Sequence, residues 1–206
     1  MAGQLHVSTP VRPRMAVGAK AHLKHSPSVL LLVDVINPLD FPGAKTLQEP
    51  ALEAARACVK LKQRMARHGQ QTVYANDNYG QWRSDFQELL GDCQQRDGAS
   101  GEIARLLAPG PDDLVILKPR HSAFFATPLD LLLTQMHTET LVIAGFAADI
   151  CVQLTAMDAN LRGHRIWVPR DCVASESDTR KSDALNYLTR VLNADTRAST
   201  KRRLPL

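Results

Sequence analysis

The run Ser28-Val-Leu-Leu-Leu-Val-Asp34 constrains this chain most, because it is apolar without a break and ends on a carboxylate. A strand with one wet face alternates apolar and polar residues. A strand apolar on both faces must be covered on both, as in the middle of a parallel sheet packed between helices. Further segments fit that frame. Gln71–Ala75, Asp113–Lys118, Thr140–Ala144 and Arg165–Pro169 read as strands. Helical spacing of apolar residues runs from Pro50 to His68, with Gly69 as a C-cap, and from Pro128 to Met136. It recurs from Asp149 to Arg162, ending at Gly163, and from Asp178 to Asn193. Shorter helices are expected over Ser84–Leu90 and Glu102–Leu107. Strand and helix alternate, so the predicted fold is α/β, an open and mainly parallel sheet with helices on both faces.

The 206 residues suffice for one domain with a substantial core, and no interior linker divides them. Residues 1–27 read as an extended arm, free or lying across a partner subunit. Residues 28–195 read as the folded domain. Residues 196–206 read as a basic, solvated tail, since the net charge of +4 collects at both ends. Basic termini of this kind do not imply a nucleic-acid partner. No apolar run is long enough to span a bilayer, so no membrane partner is expected. The N-terminus lacks the apolar core of a secretory signal. The four cysteines (58, 93, 151 and 172) form no CxxC pair, which argues against a disulfide framework or structural zinc and suits a reducing cytoplasm.

In a sheet of this kind, ligands bind beyond the carboxyl ends of the strands. Asp34 closes the first strand, Lys118 closes the third, and Cys151 follows the fourth within the opening turn of a helix. Each has an ordinary explanation when taken alone: a loop cap, a solvated amine, a small core residue. Together they supply a base, a cation and a nucleophile. The helix N-terminus and the lysine are both expected to lower the thiol pKa of Cys151. Cys58, Cys93 and Cys172 have no such setting and read as inert.

Three blocks, LLLVDVINPLDF, LKPRHSAFFATPLDLLL and GFAADICVQLTAMDANLRGHRIWVPRDCVAS, resemble the isochorismatase-like cysteine hydrolases, a family that includes nicotinamidases and N-carbamoyl amidases. The resemblance runs from about residue 28 to about residue 193, with one extra residue before Asp40-Phe41. It implies six strands in a doubly wound, Rossmann-like three-layer sheet. It also implies a catalytic triad of Asp34, Lys118 and Cys151, and a cis peptide between Phe146 and Ala147. The backbone N–H groups of Ala147 and Cys151 would then form an oxyanion hole. The activity implied is thioester-forming hydrolysis of a C–N bond in a small amide or carbamoyl substrate, without a cofactor. Vinyl-ether hydrolysis of isochorismate and a catalytically silent subunit of the same fold are the alternatives. A homo-oligomer, dimer or tetramer, is the family default.

Nicotinamidases hold a metal with one Asp and two His after the second strand. The corresponding segment here, YANDNYGQWRSDF (74–86), has Asp77 but no histidine, so no metal is expected. In Asn76-Asp77-Asn78, turn formation and substrate contact are both open readings. Asn78, Trp82, His121 and Phe41 are the candidates for substrate contact. Phe124 and Phe125 are expected to pack a lid or an interface.

Overall fold

The structure, a computed structural model, describes residues 23–80 and 85–205. Six strands make one parallel sheet: β1 Ser28–Val33, β2 Gln71–Asp77, β3 Leu114–Lys118, β4 Thr140–Phe146, β5 Arg165–Trp167 and β6 Val173–Ala174. The strand order is β3-β2-β1-β4-β5, with β6 also on β4. β1 is central, flanked in register by β2 and β4. Its apolar run is thereby explained. Leu30 and Leu32 enter a core beneath α1 Ala44–Arg67, α2 Phe86–Gln95 and α3 Gly98–Leu106. Val29, Leu31 and Val33 enter the opposite core beneath α4 Leu129–Gln135, α5 Gln153–Leu161 and α6 Asp178–Leu192. At roughly 1.5–3 kcal/mol for each fully buried aliphatic side chain, this strand anchors both layers.

Several boundaries differ from those expected. α1 begins at Ala44, six residues before Pro50, which lies inside the helix. Buried Ala44 and Leu47 extend its apolar stripe upstream, and packing outweighs the N–H missing from the proline. α2 runs on to Gln95, and α3 starts at Gly98. The segment after β4 is not one α-helix from Asp149; Ala148–Val152 is a π-helical turn, and α-helix follows only from Gln153.

β5 stops at Trp167 rather than Pro169, because the Val168 N–H donates to Asp195 O at 2.8 Å instead of to β4. β6 then pairs with Gly145 and Phe146, further along β4. Gly145 has φ +121°, and a Cβ there would stand 2.0 Å from Val33 O. Only glycine lets β1 and β4 come that close at this point.

The segment from residue 196 is no solvated tail. Trp167 Nε1 donates to Arg197 O, Ser199 donates to Asp171, Arg202 lies over the Trp167 ring, and Pro205 O accepts from Ser28 Oγ. The fully buried indole needs this cover, and Arg197 and Arg202 both reach Asp195 beside it. Of the expected N-terminal arm, residues 1–22 lie outside the described residues. Ser26 is already anchored, its N–H donating to Met136 O.

Candidate functional site

The carboxyl ends of β1, β2 and β3 and the turn after β4 meet at one buried ammonium. Lys118 Nζ lies 2.8 Å from Asp34 Oδ2, 3.4 Å from Asp77 Oδ2 and 3.7 Å from Cys151 Sγ. It also donates to Arg120 O at 3.2 Å. The lysine is fully buried and Asp34 nearly so. Asp34 takes a left-handed φ of 51° just past β1, and its Oδ1 accepts the Asp77 N–H at 2.7 Å. Both carboxylate oxygens are thus held, one by backbone and one by the ammonium.

Burial holds the Asp34 carboxyl above the ordinary aspartate range, against the pull of Lys118, Cys151 and the Asp77 N–H. Burial lowers the Lys118 pKa, but Asp34, the Cys151 sulfur and Asp77 outweigh it and hold the pKa up. For Cys151 the expected direction is reversed. Burial first, then the Asp34 carboxylate, push the thiol well above its ordinary pKa, and Lys118 offsets only part of this. Position in a helical turn suggested a thiolate. Burial, with the Asp34 carboxylate second, works against one and favours the protonated thiol.

Cys151 opens towards His121, whose Nδ1 is 3.6 Å from the sulfur on the solvent side. The Phe146–Ala147 peptide, just ahead of the π-turn, is cis. Asp149 in that turn accepts from Ser175 Oγ and from Arg180 Nε, both at 2.6 Å, which ties the turn that carries Cys151 to α6 and the residue after β6. Burial works against its charge, but Ser175 and Arg180 outweigh it and keep its pKa below the usual carboxylate range. Nothing in the residue pattern singled out this network.

The other candidates fall into place unequally. Asn78 is buried; its N–H donates to Lys118 O and its Oδ1 accepts from the Gly80 N–H, which is turn chemistry. Phe41 is exposed on the loop before α1. Trp82 lies outside the described residues. Phe124 is buried under Arg162, whereas Phe125 is exposed. A cleft of about 310 Å³, lined by Pro38, Asp40, Asp77, Asn78, Tyr79 and Leu117 among others, shares Asp77 with the cluster. Cys151 does not line that cleft.

Asp77 is the partner that sequence reasoning underrated. It pairs in register with Lys118 at the ends of β2 and β3, so the strand-end argument used for Asp34 would have found it. Its carboxylate is turned to the lysine. Among the described residues no group of three His, Cys, Asp or Glu is placed to hold a metal ion, and segment 74–86 carries no histidine.

A family model described as the isochorismatase domain matches residues 28–198. An uncharacterized isochorismatase family protein of Bacillus subtilis strain 168, YaaI, is 36% identical over 166 residues, 81% of this chain and 91% of that protein. A ureidoacrylate amidohydrolase, RutB of Enterobacter sp. strain 638, is 39% identical over 71 residues; the match covers 34% of this chain and only 31% of that enzyme. Among solved structures, N-carbamoylsarcosine amidase from Thermoplasma acidophilum has a TM-score of 0.64 at 28% identity, covering 89% of this chain and all (100%) of that one. The nicotinamidase of Staphylococcus aureus has a TM-score of 0.65 at 25% identity, covering 84% of this chain and 98% of that one. With its parallel six-stranded sheet and a family match over most of its length, this chain belongs to the isochorismatase-like hydrolase family.

Proposed function

We propose that the protein is a cysteine-dependent hydrolase that cleaves a C–N bond of a small amide or carbamoyl substrate through a thioester. One observation carries the reading: Lys118 Nζ lies within reach of both the Asp34 carboxylate, at 2.8 Å, and the Cys151 sulfur, at 3.7 Å. A protonated thiol beside a carboxylate of raised pKa is suited to concerted proton transfer, because the base can take a proton and return it.

Asp34 takes the thiol proton as Sγ attacks the carbonyl carbon. The C=O electron pair moves to oxygen, where the N–H groups of Ala147 and Cys151 are proposed to hold it. One such donor is commonly worth about 2.7–4 kcal/mol. The C–N bond breaks as the tetrahedral adduct collapses, and the amine leaves with the proton from Asp34. Water then attacks the thioester, gives its proton to Asp34, and the acid departs as the thiol reforms. Lys118 stays charged throughout and neutralises Asp34. His121, on the open side of the sulfur, is placed to touch the substrate.

The relatives named for ureidoacrylate and N-carbamoylsarcosine support a ureido substrate, R–NH–CO–NH2, and segment 74–86 lacks the histidines of the nicotinamidase metal set. The test is release of ammonia from a panel of small N-carbamoyl compounds and amides by the wild type and Cys151→Ala. Turnover that vanishes in the variant supports the reading. Turnover that persists in Cys151→Ala overturns the thioester route.

A further inference from the structure

At the other end of α1, away from the strand ends that carry Asp34, Lys118 and Cys151, the last helical turn meets the C-terminal strap. A pocket of about 370 Å³ there is lined by Arg64, His68, Arg202, Arg203 and Leu204, with no carboxylate among them. Three guanidinium nitrogens at this place are buried without a hydrogen-bond partner among the described residues: Nε and Nη2 of Arg64, and Nη1 of Arg202. Buried polar groups are nearly always partnered, so three orphans together ask for an explanation.

Their geometry supplies one. Nε and Nη2 lie along one edge of a guanidinium, the two-pronged edge that matches the paired oxygens of a carboxylate or phosphate. Arg202 is already fixed, its Nε on Asp195 at 2.8 Å and its plane over Trp167, 4.8 Å from the ring centre. Its remaining Nη1 is therefore held in place in advance. Asp195 does not neutralise the pocket, because Arg197 holds it as well, at 2.6 Å. Burial lowers the Arg202 pKa despite Asp195, and the neighbouring charges of Arg197 and Arg165 add to that. The local excess of positive charge is left for an anion to balance.

We propose that Arg64 and Arg202 form a receptor for a small oxyanion, a carboxylate or phosphate, which joins α1 to the C-terminal strap. The site is separate from the hydrolytic cluster and does not depend on the reading of that cluster. Its occupation would stabilise the fold by linkage, because the unfolded chain cannot assemble the fork.

Thermal unfolding of the full chain in inorganic phosphate, in acetate and in chloride, matched in ionic strength and pH, tests this. Phosphate or acetate is expected to raise the midpoint saturably by roughly 2–4 °C over chloride. Arg64→Lys keeps the charge but loses the fork, and is expected to abolish the rise. Arg67→Lys, in the same turn but outside the pocket, is expected to keep it. Isothermal titration of phosphate into the unmutated protein gives a second readout that needs no variant. No saturable response to either anion, or a response undiminished in Arg64→Lys, overturns the site.

Discussion

The Lys118 ammonium and the Asp34 carboxylate form an ion pair 2.8 Å long with the lysine side chain fully buried. Each charge favours the other against the cost of burial. Lys118→Ala leaves a buried carboxylate uncompensated and is expected to cost about 3–5 kcal/mol. Cys151→Ala removes one small side chain and is expected to cost about 1 kcal/mol. Urea unfolding of the two variants checks the contrast. Equal stabilities would show that the pair does not anchor the strand ends.

The buried, carboxylate-flanked thiol of Cys151 sets a reactivity profile. Its exposure is 9%, against 0% for Cys58, Cys93 and Cys172, so an alkylating reagent should reach it first in the folded protein. Its pKa is raised, so the rate should climb about tenfold per pH unit through neutrality without levelling. Iodoacetamide labelling read by peptide mass spectrometry decides this. A rate already flat at mildly acidic pH would mean that a stable thiolate is present.

Asp149 links the turn that carries Cys151 to acid stability. Its folded pKa is depressed below the ordinary aspartate range, the net result of burial outweighed by Ser175 and Arg180. A depressed carboxyl pKa contributes stability that is present above the unfolded pKa and lost as pH falls through the folded one. The urea midpoint of the wild type should therefore fall below about pH 4. Asp149→Asn should be less stable at neutral pH and should show a shallower acid slope. Parallel curves for the two proteins would count against the network.

The C-terminal strap covers Trp167. Deleting residues 196–206 exposes an indole that is fully buried and takes away its Nε1 acceptor, Arg197 O. A loss of about 2–3 kcal/mol is expected, equivalent to roughly 5–10 °C in melting temperature. Tryptophan emission should shift to the red at the same time. A truncated chain with unchanged melting and emission would show the strap to be dispensable.

Much of the architecture was legible in the residues because it depends on local pattern. The unbroken apolar run of β1 demanded cover on two faces, and the helical spacing of Leu52, Ala55 and Met65 marked α1. Strand-end logic found Asp34, Lys118 and Cys151, which the structure draws around one ammonium. The same logic, had it been applied to β2, would have added Asp77.

The sequence by itself determined the alternation of strands and helices, the central place of β1 and the three residues whose side chains meet, since periodicity and strand ends are properties of neighbouring residues. Tertiary structure alone decided the rest. The protonation of Cys151 is a balance between burial and charges brought near by β1 and β3, so position in a helical turn could not give its sign. β6 has two residues, too few for any pattern. The strap from residue 196 reads as a basic tail until Trp167 and Asp195 are placed beneath it, because its anchors lie about thirty residues away for Trp167 and are met only once the sheet has formed.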